Sequence, residues 1–150
     1  GSSFLASEMA AAFLWAQLEE ADAIRQARLD VWNRYHAGFA QLEADGVLRR
    51  PTIPEDVEHN AHLYYLRVPQ ERRDAVIASL AEQGVVAVFH YVPLHSAPAG
   101  QRFGRAVGDL EVTDRASAEL LRLPLWMGMS DEQVEHTIAA VHRAVDVAGA

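Results

Sequence analysis

The first 46 residues show one helical pattern that is too long for the rest of the chain to cover. Hydrophobic side chains recur at intervals of three and four, which places them on one face of a helix: Leu14, Leu18, Ala21, Ile24, Val31, Tyr35, Phe39 and Leu42. Ser7 and Glu8 suit its N-terminus, and Asp45-Gly46 suits its end. Such a helix would be about 50 Å long at 1.5 Å per residue. We therefore predict a linking helix region over residues 1–46 that contains a break or lies against a second body.

The remaining residues, 47–150, alternate between strand and helix patterns. Residues 61–68 are rich in β-branched and aromatic side chains, which predicts a strand. A helix over 70–83, stopped by Gly84, and a buried strand over 85–89 follow. This order predicts a βαβ unit with a right-handed crossover.

Residues 90–112 show no sustained periodicity and contain several Pro and Gly, as functional loops often do. A helix over 113–121 and a short edge segment over 123–125 come next. Ser130 and Gln133 then form a predicted capping box for a last amphipathic helix. The sequence therefore predicts an α+β fold in which helices pack on a small sheet.

The composition excludes several classes of protein. The chain has 21 acidic and 13 basic residues, a formal charge of -8, which argues against nucleic-acid binding. It contains no cysteine, so disulfides and thiolate metal sites are excluded. Its longest apolar stretch, residues 9–16, is too short to span a membrane, and no positively charged leader precedes it. We expect a protein that binds neither nucleic acid nor membrane.

All 13 basic residues are arginine, and the sequence has no lysine. Any mechanism that requires a lysine amine, such as a Schiff base, cannot be completed by these residues alone. The first residue is Gly instead of Met, so we expect the chain to be a piece of a longer polypeptide.

The densest polar cluster is the segment His90-Tyr91-Val92-Pro93-Leu94-His95, at the end of the second predicted strand. Ligand contacts are common where a strand opens into a loop. Two histidines do not meet the three or four ligands of a zinc site, so we predict no metal. Two roles remain open for His90 and His95: packing or capping, and contact with a polar ligand.

Three other polar segments have simpler explanations. His59-Asn60-Ala61-His62 either lines a cleft or satisfies local backbone groups. His136 and His142 lie on the last predicted helix, where we expect them to be solvated. Gly1-Ser2-Ser3 precedes a helix N-terminus and suits an anion, but is equally typical of a tag remnant.

Taken in order, several of these motifs are similar to one family. They are Gly1-Ser2-Ser3-Phe4-Leu5-Ala6-Ser7-Glu8, Ala16-Gln17-Leu18-Glu19, His62-Leu63-Tyr64, the segment from His90 to His95, and Leu123-Pro124-Leu125. Their order and spacing resemble the C-terminal part of DegT-type nucleotide-sugar aminotransferases. Within that family the chain most resembles the dTDP-4-keto-6-deoxyglucose 4-aminotransferases.

This resemblance implies the small domain of a fold-type I aminotransferase, with residues 1–46 as its linking helix and 47–150 as its α+β subdomain. The large domain, with the lysine that binds pyridoxal 5'-phosphate (PLP), would lie upstream of Gly1. Family members are dimers in which each active site takes residues from both subunits, so the resemblance implies a homodimer, and we expect it to be cytoplasmic. By resemblance, Ser3 contacts the cofactor phosphate, while His90, Tyr91 and His95 contact the sugar nucleotide.

The implied reaction moves the amino group of L-glutamate to C4 of dTDP-4-keto-6-deoxy-D-glucose. The product would be dTDP-4-amino-4,6-dideoxy-D-galactose. Two alternatives remain open: a transaminase of the same family that acts on another keto-sugar, at C3 or on a different nucleotide, and a non-catalytic ligand-binding module. In either enzyme reading, the lysine-free chain alone should be inactive.

Overall fold

A computed structural model describes residues 4–147 of the chain. Over this range it shows seven helices and three strands in the order α1 (Glu8–Glu19), α2 (Ala21–Gly38), α3 (Ala40–Ala44), β1 (Tyr64–Arg67), α4 (Gln70–Glu82), β2 (Val88–Phe89), α5 (Pro98–Phe103), α6 (Glu111–Glu119), β3 (Leu120–Leu123) and α7 (Asp131–Val147). The predicted α+β class is confirmed. No helix in the described part of the chain is long and apolar enough to cross a membrane.

The N-terminal helical region begins and ends as its sequence predicts. The Ser7 hydroxyl accepts a hydrogen bond from the Ala10 N–H at 3.2 Å, and Gly46 takes the left-handed conformation with φ 73°. The expectation of a break is also confirmed, because α1, α2 and α3 are separated at Glu20 and Phe39. The second break follows Gly38, where a Cβ would lie only 2.9 Å from Ile138 Cδ1.

Helix α1 differs from α2 in what it buries. None of the residues of α1 is buried, whereas α2 places Val31, Trp32 and Tyr35 in the core. The apolar side chains that α1 exposes are Met9, Phe13, Leu14, Trp15 and Leu18. The predicted apolar stripe is therefore covered only in its second half.

The three strands form one sheet in the order β1-β3-β2. Both β1 and β2 run antiparallel to β3, with Tyr65 and Val88 opposite Arg122, so β1 and β2 are parallel to each other. The predicted βαβ unit is confirmed, with β3 inserted between its strands. The predicted edge segment at 123–125 is wrong: β3 is the central strand, and it ends before Pro124, which has no N–H for the ladder.

The second predicted strand is shorter and more exposed than expected. Only Val88 and Phe89 pair with β3, and their exposed fractions are 40% and 52%. Val85 and Ala87 are the buried residues of this segment, and they precede the strand. The prediction of a buried strand over 85–89 is wrong, because β2 lies at an edge of the sheet with a partner on one side only.

One face of the sheet lies in the core. Tyr64 and Leu66 of β1 and Leu121 and Leu123 of β3 are all buried there. Residues of α2, α4 and α7 complete this core, among them Tyr35, Val76, Leu80, Val134 and Val141. The alternate residues of the strands, including Arg122, lie on the opposite face.

The last helix begins at the predicted capping box. The Ser130 N–H donates to Gln133 Oε1 at 2.9 Å, and the Gln133 N–H donates to Ser130 Oγ at 3.2 Å. Helix α7 thus starts at Asp131, and its buried side chains join the core beside α4 and α2.

Candidate functional site

The His90–His95 segment begins where β2 ends. Because β1 and β2 are parallel, their carboxyl ends lie at the same edge of the sheet, and His90 follows Phe89 at that edge. The expected long loop contains a short helix, α5, and leads into α6, which begins at Glu111 instead of residue 113. The candidate site is therefore framed by β2, α5 and α6.

His90 and Tyr91 form one aromatic pair at this edge. Their ring centroids are 4.5 Å apart with the planes at 60°, and the Tyr91 side of the pair is exposed. His90 Nδ1 is buried and has no hydrogen-bond partner among the described residues. The Ser117 hydroxyl of α6 donates to the Tyr91 carbonyl at 2.9 Å. This bond fixes the start of the loop on α6.

His95 contacts α6 through a carboxylate. Its Nε2 lies 2.8 Å from Asp114 Oδ1, at a distance suited to an ion pair when the imidazole is protonated, although the angles are not those of a hydrogen bond. The His95 side chain is 20% exposed and that of Asp114 is 54% exposed. Asp114 therefore holds His95 at the protein surface.

The turn that contains His95 is closed by backbone hydrogen bonds. The N–H groups of Ser96 and Ala97 both donate to the Pro93 carbonyl, at 3.1 and 3.0 Å. Helix α5 then packs against the turn so closely that a Cβ at Gly100 would lie 1.6 Å from the Leu94 carbonyl oxygen. Only glycine fits at this position, so the loop and α5 are in direct backbone contact.

A cleft of about 620 Å³ opens between this turn and α6. Its lining residues are Leu94, His95, Gly100, Gln101, Gly104, Arg105, Ala106, Leu110 and Thr113. His95 thus lies in the cleft, whereas His90 and Tyr91 lie beside it, near the outer face of the sheet. The three predicted substrate-binding residues are brought to one edge of the fold but not into one cavity.

Arg122 is a residue of this edge that the sequence analysis missed. Its guanidinium carbon lies 5.9 Å from the centre of the Tyr91 ring, within the range of a cation–π contact. Arg122 is flanked by Leu121 and Leu123, both buried, in an apolar strand. The sequence signal that could have identified Arg122 is a single arginine in the middle of such an apolar strand.

The other predicted histidines have structural contacts. Asn60 Oδ1 accepts from the His62 N–H at 3.0 Å, and His59 Nδ1 accepts from the Ala61 N–H at 3.3 Å. The segment therefore satisfies local backbone groups, and His59 also lines a cleft of about 400 Å³, so the structure agrees with both alternatives. Ala61 has a positive φ of 50°, which these side-chain contacts help to hold.

The expectation that His136 and His142 are solvated holds for His136, which is exposed, and is wrong for His142, which is half-buried. His142 Nε2 donates to the Gly38 carbonyl at 3.0 Å and joins α7 to α2. His136 is exposed, but its Nε2 donates to the Gln83 carbonyl at 2.9 Å, just after α4. Both histidines satisfy carbonyls at helix ends, which have no partner within their own helix.

Residues 1–142 match the DegT/DnrJ/EryC1/StrS aminotransferase family. The chain belongs to this family.

Three known proteins illustrate what this chain is similar to. The dTDP-3-amino-3,4,6-trideoxy-alpha-D-glucose transaminase of Micromonospora megalomicea subsp. nigra is 29% identical over 92% of this chain and 37% of its own. The dTDP-4-dehydro-2,3,6-trideoxy-D-glucose 4-aminotransferase of Saccharopolyspora spinosa is 26% identical over 97% of this chain and 36% of its own length. The crystal structure of DesV from S. venezuelae, in complex with a ketimine intermediate, is 27% identical to this chain with a TM-score of 0.81. The match covers 91% of this chain and 36% of DesV. The chain spans about a third of the length of the curated relatives it matches.

DegT-type aminotransferases are PLP-dependent transferases, and solved relatives contain the cofactor in its PMP form. The 150 residues of this chain include no lysine, so they do not supply the amine that binds PLP covalently. Ser3, the predicted phosphate contact, lies outside the described residues. In the described range there is no group of three or more His, Asp or Glu side chains arranged to hold a metal ion.

Proposed function

We propose that this chain is the small-domain part of a PLP-dependent aminotransferase that moves the amino group of L-glutamate to C4 of dTDP-4-keto-6-deoxy-D-glucose. The product is dTDP-4-amino-4,6-dideoxy-D-galactose. The observation that supports this most directly is the family match over residues 1–142 of a chain that has a DegT-type His-Tyr-x-Pro-Leu-His segment. Residues 1–46 form the linking helix region of this domain, and residues 47–150 form its α+β subdomain.

His90, Tyr91 and His95 contact the sugar nucleotide in this proposal. The phenol and the imidazole rings are hydrogen-bonding groups, and a dTDP-sugar offers two phosphates and several hydroxyls to them. Their support is rigid: Ser117 binds the Tyr91 carbonyl, and Asp114 lies against His95. The contribution of this chain is therefore to bind and orient the substrate.

PLP, when bound, holds the amino group between its donor and its acceptor. The lysine for that chemistry comes from a part of the polypeptide outside these 150 residues. Ser3 contacts the cofactor phosphate, as its place in the family motif implies. Equilibrium dialysis of PLP from the intact enzyme tests this role, and unchanged retention in Ser3→Ala would contradict it.

The exposed apolar side chains of α1 support the remaining parts of the proposal. A helix with Phe13, Leu14, Trp15 and Leu18 on its surface needs a partner surface to cover them. The large domain and the second subunit of a cytoplasmic homodimer with shared active sites supply that cover. Sedimentation equilibrium of the intact polypeptide gives its oligomeric state directly.

A second candidate is a transaminase that acts on C3 of a dTDP-keto-sugar. The observation in its favour is the relative from Micromonospora megalomicea, a 3-amino-sugar transaminase that is 29% identical to this chain, against 26% for the C4 enzyme from Saccharopolyspora spinosa. These sequence identities do not distinguish C3 from C4 as the position of the new amine.

The test incubates the intact PLP-loaded polypeptide with L-glutamate and either dTDP-4-keto-6-deoxy-D-glucose or its 3-keto isomer. NMR of the product assigns the position and configuration of the new amine. We expect a C4 axial amine, as in the galactose configuration. A C3 amine selects the second candidate, and binding of a sugar nucleotide without transamination by either route selects a non-catalytic ligand-binding module.

A further inference from the structure

Arg122 occupies the centre of the outer sheet face. It is a residue of the central strand β3, and it lies opposite Tyr65 of β1 and Val88 of β2. Its chain neighbours Leu121 and Leu123 point into the core, so its own side chain lies on the other face. This face leads to the edge where His90 and Tyr91 begin the loop.

The guanidinium of Arg122 has no carboxylate partner among the described residues, in contrast to the guanidinium groups of Arg67 and Arg50. Arg67, on the same face of the sheet, binds Glu119 through Nε at 2.9 Å and through a second nitrogen at 2.5 Å. Arg50 binds Glu43 in the same way. Among the residues that the structure describes, Arg122 has no such partner, and its Nε is buried without a hydrogen bond.

A buried charged donor without a partner is costly, because it has lost its water and gained nothing in exchange. The cation–π contact with Tyr91 compensates only part of this loss, since the distance of 5.9 Å is near the limit of that interaction. A second buried nitrogen without a described partner, His90 Nδ1, belongs to the ring that packs on Tyr91. Two such groups around one exposed tyrosine indicate a site for a ligand.

The planar fork of an arginine matches carboxylates and phosphates, which accept two parallel hydrogen bonds. We propose that Arg122, together with His90 and Tyr91, binds an anionic group of one of the two substrates. The anion is either a carboxylate of the amino donor or a phosphate of the sugar nucleotide. This inference rests on the proposed function, and it adds Arg122 to the residues that recognise the substrate.

The test measures binding of two probes, L-glutamate and dTDP, to the intact PLP-loaded enzyme by isothermal titration calorimetry. The variants are Arg122→Gln, which removes the charge, and Arg122→Lys, which keeps it without the fork. Arg49→Gln is the matched control, because Arg49 is an exposed arginine near the sheet whose side chain has no described partner. Thermal melting of each variant accompanies the titrations.

We expect Arg122→Gln to weaken one probe by about ten- to a hundredfold, with Arg122→Lys intermediate and Arg49→Gln within twofold of the parent. Loss of dTDP affinity assigns the anion to the nucleotide, and loss of glutamate affinity assigns it to the amino donor. Unchanged affinity for both probes in Arg122→Lys and Arg122→Gln overturns the inference. If Arg122→Gln does not fold, the Arg122→Lys variant alone provides the test, because loss of the planar guanidinium must still lower the affinity for one of the two probes.

Failure of the proposed function has a different signature. In that case the parent enzyme transfers no amino group to either keto-sugar, whatever residue stands at position 122. A parent enzyme that is active, and variants that bind both probes normally, would reject the role of Arg122 and leave the aminotransferase intact.

Discussion

His95 Nε2 lies 2.8 Å from Asp114 Oδ1, and this contact joins the loop after β2 to helix α6. The contact holds the carboxylate against an imidazole that lines the cleft.

We expect His95→Ala in the intact enzyme to lower kcat/KM for the keto-sugar by at least tenfold, because a hydrogen bond to a charged ligand is worth about 1.5–3 kcal/mol. Asp114→Asn should give a smaller decrease in the same half-reaction, since it leaves the imidazole in place. Single-turnover absorbance of the cofactor separates the two half-reactions. Equal losses in the glutamate half-reaction would assign His95 a structural role.

Gly100 should not accept a side chain. Its Cβ would overlap the Leu94 carbonyl oxygen, so Gly100→Ala must displace either α5 or the loop that includes His95. We expect a loss of about 1–3 kcal/mol in the free energy of unfolding, as for other overpacked sites. Urea denaturation measures it, with Ala99→Gly in the same short helix as a control for helix propensity. A loss no greater than that of the control would show that the close approach relaxes freely.

His36 lies in an aromatic and charged cluster away from the candidate site. Its ring stacks on Trp32 with centroids 4.6 Å apart, and the Arg50 guanidinium donates to its backbone carbonyl. Burial lowers the pKa of His36, and the positive charge of Arg50 lowers it further. Glu43 acts in the opposite direction and His59 adds to the lowering, both more weakly.

The lowered pKa of His36 makes the stability of the fold depend on pH. The unfolded chain takes up this proton at about pH 6.5, before the folded chain does, so protonation favours unfolding. Stability is complete above pH 6.5 and falls as the pH decreases through the folded value. His36→Phe preserves the ring on Trp32 and removes the titration. Urea denaturation at pH 7.5 and pH 5.5 should show a smaller difference for this variant than for the parent chain, and an equal difference would assign the effect to other groups.

The chain alone should form no covalent adduct with PLP. It has no lysine, so the only amine that can react is the N-terminus. Borohydride treatment in the presence of PLP, followed by peptide mass mapping, should find no adduct at an internal residue. An internal adduct would contradict this expectation, and a lysine-containing protein treated in parallel shows that the reduction has worked.

The parts of the fold that the sequence predicted are those set by local chemistry. Ser7, Gly46 and the Ser130–Gln133 box mark the ends of their helices through contacts and backbone conformations that span no more than five residues. The polar cluster from His90 to His95 was likewise recognised from its composition and from its place after a predicted strand. Local hydrogen bonds and backbone conformation depend on neighbouring residues, so they can be predicted from the sequence.

The parts that the sequence did not predict depend on distant pairing. The central place of β3 follows from its contacts with β1 and β2, more than 30 residues away, and its short apolar pattern is also that of an edge segment. His142 meets the Gly38 carbonyl across 104 positions. Arg122 was missed for the same reason, since only the assembled sheet places it next to Tyr91.

The position of β3 between two earlier strands also determines when the sheet can form. β1 and β2 have no hydrogen bonds to each other, and both require a strand that ends at Leu123. During synthesis on the ribosome, the helices up to α6 can therefore form before β1 or β2 pairs with β3, and until then β1 has only the bridge between Arg67 and Arg49. The backbone of β1 and β2 cannot pair with β3 until residues 120–123 have been synthesised. The rate at which β3 then inserts determines how long these unpaired strands are exposed to aggregation.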